Sequence, residues 1–192
     1  MTECMSWSSR AFITAVTLAA VSGCGSGGVS DSAQRSGSDM SRVRLYPNVA
    51  ALAADSKLVV EGTATGQFVA DDVDPTTDFT LSKMKIVKVL RGADTINVGN
   101  SIVVRQMGSD KQTPPVPILV PGQVYLLYLT PSGLDGALSS QYYITGANAG
   151  IYVQPSTGLA PAAAGTETQF AQVQRENGEN LPASLSDTQA LG

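Results

Sequence analysis

The spacing of hydrophobic residues changes once along this chain, from a helical period to the alternation of strands. Between residues 46 and 55, Val49, Leu52 and Ala53 fall on one face at helical spacing, which predicts a short helix. From Leu58 onward the period shortens towards two, and β-branched and aromatic residues become frequent, as is typical of strands. Five strands are predicted, over residues 58–69, 79–90, 101–107, 123–130 and 141–153. The last of them is either one strand or a hairpin that turns at residues 146–150.

The alternation in the second predicted strand slips by one residue. Phe79 and Leu81 share one parity, whereas Met84 and Ile86 share the other. Such a slip predicts a β-bulge near Ser82, a device that curls a sheet. The fourth strand, residues 123–130, is apolar on both faces and is expected to be central. About five bent strands separated by Gly and Pro turns predict a mainly β fold, either a small closed barrel or a sandwich.

The C-terminal part of the chain has a different composition from the strands. Residues 156–192 are rich in Ala, Gly, Thr and Gln and mostly polar. Thr166 and Gln169 fit a capping box, and Phe170 and Val173 would form the apolar stripe of a short helix that ends at Arg175. We expect a flexible polar tail that carries this helix.

The N-terminus has the features of an export signal. Ten mostly apolar residues, 11–20, follow the single positive charge of Arg10, and they are too few to span a membrane. The next four residues, Val21-Ser22-Gly23-Cys24, resemble the lipobox of bacterial lipoproteins. That resemblance implies a signal peptide over residues 1–23 and a diacylglyceryl group on the thiol of Cys24. The alternative is an ordinary cleaved signal with a chance cysteine. The Gly/Ser-rich residues 24–43 are predicted to form a flexible tether of about 25 Å r.m.s. length.

The composition excludes several kinds of chemistry. The chain has 192 residues, no histidine and a formal net charge of −4. Ser-His-Asp triads, Cys-His dyads and histidine metal sites are therefore excluded, and the acidic balance argues against nucleic acid as a partner. Cys4 lies in the predicted signal peptide and Cys24 would carry lipid. The mature domain would then have no thiol for a disulfide, a nucleophile or a metal.

Three segments of the predicted strands resemble a known kind of domain. Residues 54–64, 86–92 and 121–129 resemble the "A-D-x-V-V-x-G-x-V", "V-x-x-V-L-K-G" and "G-x-x-Y-L-L-F-L" strands of OB-like barrel domains in bacterial surface proteins. These domains are distantly similar to the tissue inhibitors of metalloproteinases and to netrin-like modules. The resemblance implies a small five-stranded OB-like barrel over residues 44–155. It does not imply metalloproteinase inhibition, which needs a disulfide-held N-terminal cysteine with a free amine.

Two sequence features are candidates for chemistry. Ser82 and Lys85 match S-x-x-K, but on a strand they would point to opposite faces, and the companion motifs of penicillin-binding proteins are missing. The loop of residues 71–78 holds the only dense acidic cluster and is the candidate binding loop, through Asp71, Asp72, Asp74 and Asp78. It fails the EF-hand pattern for Ca²⁺, so a solvated turn is the default interpretation. We therefore assign no catalytic residue, metal or cofactor.

These features together predict the function in outline. We expect a non-enzymatic lipoprotein, held in the cell membrane through lipid on Cys24 and facing the extracytoplasmic side. Its barrel would act as a binding or scaffold module with an envelope protein as partner. An alternative is an inhibitor or chaperone-like partner of an envelope enzyme, acting through the rim loops at residues 71–78 and 111–117. A third, less favoured, alternative is a hydrolase that uses carboxylates alone.

Overall fold

Residues 44–156 and 167–192 are described by the structure, a computed structural model. The predicted signal peptide, the lipobox with Cys24 and the tether lie outside the described residues. One α-helix and eight strands of a single sheet occur in the described ranges. They are α1 Val49–Asp55, β1 Leu58–Ala70, β2 Phe79–Arg91, β3 Ser101–Met107, β4 Val124–Pro131, β5 Gln141–Ile144, β6 Ile151–Val153, β7 Gln169–Gln172 and β8 Ser184–Ser186.

The predicted helix is confirmed, although it begins later than residue 46. Asn48 has an extended backbone with φ −168°, and its side chain accepts a hydrogen bond of 2.8 Å from the Ala51 amide. Asn48 is therefore the N-cap, which places Pro47 before the helix. Val49, Leu52 and Ala53 are buried, as their spacing predicts. No helix in the described residues has the length and hydrophobicity of a membrane-spanning segment.

Five of the strands are hydrogen-bonded in a closed ring. The order around it is β1-β2-β3-β5-β4, and β4 pairs again with β1. All neighbours are antiparallel except β3 and β5, which run parallel. The prediction of a mainly β fold with a short preceding helix is confirmed, and the ring occupies the region predicted to form an OB-like barrel. Side chains from every strand of the ring contribute to one buried cluster, which includes Val60, Met84, Val104 and Leu127.

The central position of β4 is also confirmed. Its residues from Tyr125 to Leu129 are buried, and it pairs with β1 on one side and with both β5 and β6 on the other. Both alternatives for residues 141–153, one strand or a hairpin, are wrong, because the segment forms two strands, β5 and β6, that do not pair with each other. They follow the same edge of β4, separated by a 3-10 turn at Ala147–Gly150. Gly146 permits this interruption: its φ is +67°, and a Cβ there would lie 2.5 Å from Tyr46 Cε2.

The bulge expected in the second strand occurs at the predicted place, but on the neighbouring strand. The pairing of β1 with β2 passes from Ala64 opposite Met84 to Gly66 opposite Lys83. Thr65 is therefore the additional residue, and its hydroxyl donates a hydrogen bond of 3.1 Å to the Lys83 carbonyl. Two strands share one register, so a slip in the side-chain pattern of either can reflect an insertion in the other.

The prediction of a flexible tail with a short helix is wrong over residues 167–192, whereas residues 157–166, with Thr166 of the proposed capping box, lie outside the described residues. Gln169–Gln172 form β7, not a helix, and they extend the sheet from β6, while β8 pairs with β7. Phe170, Leu181 and Leu185 are buried against α1 and the Tyr128 and Tyr152 rings in a second cluster. The pairing edge of β6 and this apolar contact outweigh the local capping pattern. Residues 167–192 are thus part of the sheet and its core, and no flexible tail occurs among them.

A buried carboxylate lies where the C-terminal segment meets the ring. Glu61 of β1 is buried opposite Lys88 of β2, and Lys88 forms a salt bridge with Asp187, just after β8. Burial raises the pKa of Glu61, an effect that Lys88 opposes and Asp187 reinforces. The salt bridge from Lys88 to Asp187 thus adds a polar contact between β2 and the C-terminal segment to the apolar packing of residues 167–192.

Candidate functional site

The two loops predicted to act together lie at one end of the ring and are bonded to each other. Residues 71–78 connect β1 to β2, and residues 108–123 connect β3 to β4. The Asp78 amide donates to Gln112 Oε1 at 2.8 Å, and the Ser109 hydroxyl donates to Asp78 Oδ2 at 2.6 Å. The side-chain amide of Gln112 also donates to the Thr76 carbonyl at 3.4 Å. The loops therefore form one connected rim.

A buried arginine anchors this rim to the sheet. Arg105 of β3 is 1% exposed, and its two terminal nitrogens donate to Asp72 Oδ1 and Oδ2 at 2.7 and 2.9 Å. Its Nε donates to Gln141 Oε1 of β5 at 2.8 Å, and its guanidinium carbon lies 5.0 Å from the centroid of the Phe79 ring. The hydrogen bond from Arg105 lowers the pKa of Asp72. The Arg105 charge is thus paired and held in a fixed geometry.

Beside Arg105 lies a mostly apolar pocket of about 250 Å³, which we call the rim pocket. It is lined by Phe79, Arg105, Gln106, Met107, Val116, Tyr143, Ile144 and Ala147. Its volume is slightly below the ~300–1,000 Å³ of pockets for drug-sized ligands. The pocket is therefore suited to a side chain or a short apolar group.

The wall of the rim pocket contains a strained turn. Ala147 has φ +55°, and it is the one non-glycine residue of the described ranges with a positive φ. Within the same ranges, the side-chain polar atoms of its neighbour Asn148 and the Thr145 hydroxyl are buried without hydrogen-bond partners. Left-handed alanine and unpaired buried polar groups each cost free energy, and such strain is concentrated at binding and catalytic sites. The turn is a second local sign of a site here.

The acidic loop residues do not converge on a common point. Asp72 is bonded to Arg105, and Asp78 accepts from Ser109. Asp74 accepts hydrogen bonds from the Thr76 amide and from the Thr77 and Thr76 hydroxyls, all of which lower its pKa. Asp71 makes no hydrogen bond or ion pair with the described residues. Within the described residues, no three His, Cys, Asp or Glu side chains form a group that could hold a metal ion.

The S-x-x-K pair is divided between the two faces of β2, as predicted. Ser82 is buried and accepts a hydrogen bond of 2.9 Å from Gln67 Nε2, whereas Lys85 is exposed. Four of the tyrosines are buried as well, and two of them, Tyr128 and Tyr152, are fully buried. Tyr128 and Tyr152 lie with ring centroids 6.2 Å apart, and burial raises the pKa of both. These two rings therefore belong to the core.

The two loops of the rim are recognisable in the sequence, but its central residue, Arg105, is not. Arg105 stands after three apolar residues in β3, a lone charge whose partner Asp72 lies 33 residues earlier. A charge within an apolar strand is the only local signal for such a site.

No protein-family model matches this chain, and no curated protein matches it either. The geometry of the rim pocket is therefore the starting point for its function.

Proposed function

We propose that this chain is a lipid-anchored envelope protein of bacteria whose five-stranded ring binds a ligand at the rim pocket. The observation that carries the binding role is the apolar pocket beside the fixed Arg105–Asp72 pair. Apolar pockets with a few oriented polar groups are the usual form of a ligand site. An apolar side chain or short acyl group of the ligand would enter the pocket.

The same geometry favours contact over catalysis. Arg105 bonds to Asp72 and Gln141, so its charge is not directed at a substrate. Most of the remaining lining is aliphatic or aromatic and offers no strong nucleophile or general base. The acidic loop residues bond to their own surroundings, which gives the carboxylate hydrolase no support.

The connected rim supports the runner-up function as well. The loops of residues 71–78 and 108–123 are hydrogen-bonded to each other in the rim. A fixed rim can dock on a protein surface with little loss of conformational entropy. An inhibitor or chaperone-like partner of an envelope enzyme would use this rim. That function would rely on the same rim residues.

The anchor rests on the sequence of the N-terminal residues. Val21-Ser22-Gly23-Cys24 follows an apolar segment and precedes Gly-rich residues. Lipid on Cys24 would hold the chain at the outer surface of the membrane. The tether over residues 24–43 would then let the ring, which begins near residue 58, bind partners beyond the headgroups.

Replacing Cys24 with serine tests the anchor. We expect the wild-type protein to incorporate an alkyne fatty acid in bacteria and to remain with the membrane fraction. Cys24→Ser should lose both properties, because serine offers no thiol for the diacylglyceryl group. Cys4→Ser is the matched control and should behave as the wild type. Retention of label or of membrane association by Cys24→Ser would contradict the anchor.

Indole, a small apolar probe, tests the rim pocket. In an NMR titration, we expect indole to shift the methyl signals of Ile144 and Ala147. Val116→Trp should abolish these shifts because the new side chain would fill the pocket. Val120→Trp is the matched control, since Val120 lies in the same connection, is 54% exposed and does not line the pocket. Wild-type protein that shows no indole shifts at Ile144 and Ala147 would refute the binding role of the pocket.

A further inference from the structure

The distal half of β1 is hydrogen-bonded on one side only. The pairing of β1 with β4 ends at Thr63 opposite Val124, and Ala64 still exchanges hydrogen bonds with Gln123 and Gly122. The backbone of residues 66–70 pairs with β2 and with no other backbone in the described parts of the chain, although the Gln67 side-chain amide donates to the Leu119 carbonyl. We call residues 66–70 the open edge. Its outward N–H and C=O groups form a template for another strand.

The open edge lacks two of the usual protections of sheet edges. Its sequence, Gly-Gln-Phe-Val-Ala, has neither proline nor charge, although both commonly block pairing at sheet edges. Phe68 is 55% exposed and Val69 is 50% exposed. Because successive side chains of a strand point to opposite faces, the edge is apolar on both faces.

A groove runs beside the open edge. It has a volume of about 440 Å³ and is lined by Gln67, Phe68, Val69, Thr80, Ser109, Asp110 and Ile118. The Thr80 hydroxyl donates to the Gly108 carbonyl at 2.7 Å, which fixes one wall. The groove shares no residue with the rim pocket. An added strand could place an alternate side chain in it, which is how strand-adding sites gain specificity.

The charges around the open edge differ between its two ends. Asp71 follows the edge directly and Asp110 lines the groove near that end, with Lys111 next to it. At the other end, Lys83 of β2 lies opposite Gly66. Within the described residues, none of these four side chains is in an ion pair. Because Asp74 and Asp78 lie in the adjoining loop, whereas the charge of Asp72 is paired with Arg105, the end near Ala70 is predominantly acidic and the end near Gly66 is basic.

The length of the edge indicates the kind of partner. Stable protein–protein interfaces bury about 1,200–2,000 Å² in total, more than one five-residue edge supplies. An extended peptide binds such an edge through main-chain hydrogen bonds. Antiparallel pairing is the more stable arrangement, and a strand antiparallel to β1 would begin at the acidic end.

We propose that the open edge binds an extended segment of a partner protein as an added strand antiparallel to β1. The segment is apolar at alternate positions, with a basic residue at its N-terminal end, near Asp71 and Asp110. An acidic residue at its C-terminal end lies near Lys83. This surface is additional to the rim pocket of the proposed function and does not require it to be occupied.

Two capped heptapeptides test the proposal by NMR on the full, ¹⁵N-labelled chain in detergent. The first alternates valine with threonine between an N-terminal lysine and a C-terminal glutamate, and the second exchanges the two charged residues. We expect the first peptide to shift backbone amides of residues 64–71 and of Ile118, and to slow hydrogen exchange in the open edge. The second should bind about threefold more weakly, because two exposed charge pairs become repulsive.

Single substitutions locate the binding surface. Val69→Lys should abolish peptide binding, because it places a charge on the edge. Val87→Lys is the matched control: Val87 is also on a strand and 51% exposed, but it lies outside the edge. Val116→Trp should leave peptide binding unchanged, which separates this surface from the rim pocket.

Several outcomes would overturn the proposal. They are no amide shift with either peptide, shifts confined to other residues, and unchanged binding by Val69→Lys. Concentration-dependent broadening at residues 66–70 that the peptide does not displace would assign the edge to a second copy of the chain instead.

Discussion

Replacing Arg105 with leucine is expected to destabilise the protein by about 3 kcal/mol. The substitution removes the two bonds to Asp72, the bond to Gln141 and the stacking on Phe79. Leucine restores only part of the buried volume, so a cavity and an unpaired Gln141 oxygen remain. Urea unfolding followed by circular dichroism measures the loss as a lower midpoint at an unchanged slope.

Control substitutions distinguish the loss of the Arg105–Asp72 pair from the loss of a positive charge alone. Arg105→Lys should also destabilise, since an ammonium cannot bond both carboxylate oxygens in the same planar geometry. Lys83→Leu, at an exposed position, should change stability by less than about 0.5 kcal/mol. Asp72→Asn should lower the midpoint more than Asp71→Asn, because only Asp72 bonds to Arg105. Wild-type stability of Arg105→Leu would contradict the anchoring role of the pair.

The anchoring role bears on function through the rim. Arg105 lines the pocket and holds the loop of residues 71–78, which in turn bonds to the loop of residues 108–123. Loss of the arginine would therefore loosen both loops and the pocket wall together. A fixed rim lowers the entropy lost on binding, so its order contributes directly to affinity.

The strands of the ring could be predicted because their signal is local. The predicted bounds of β3 agree with the structure, and β4 was recognised as central from its apolar residues on both faces. The path of residues 141–153 could not be predicted. It depends on consecutive left-handed residues, Gly146 and Ala147, and alanine carries no sequence signal for that conformation.

Long-range contacts account for what the sequence did not show. The ring contains a parallel pairing of β3 with β5, although β4 lies between them in the sequence. No local pattern specifies this pairing. Phe170 fits a helical stripe in the sequence, yet it belongs to β7 because β6 offers a pairing edge. Asp72 looked like a solvated loop residue because its partner Arg105 is distant along the chain.

Replacing Phe170 with alanine is expected to cost about 3–5 kcal/mol of stability, the usual range for a buried phenylalanine. Phe170 is 0% exposed and packs in the cluster formed by α1, β4, β6 and the C-terminal residues. The Tyr128 hydroxyl donates to the Ala190 carbonyl at 2.8 Å in the same region. Loss of the ring should loosen this contact and lower the urea midpoint strongly.

Leu191→Ala is the matched control, because Leu191 is also an apolar residue of the C-terminal segment but is 43% exposed. It should change stability by less than about 0.5 kcal/mol. Hydrogen exchange gives a second readout: Phe170→Ala should speed exchange at the amides of β7 and β8 before those of β1 to β4. If Phe170→Ala were as stable as Leu191→Ala, residues 167–192 would be loosely attached to the ring, and the buried cluster would not depend on them.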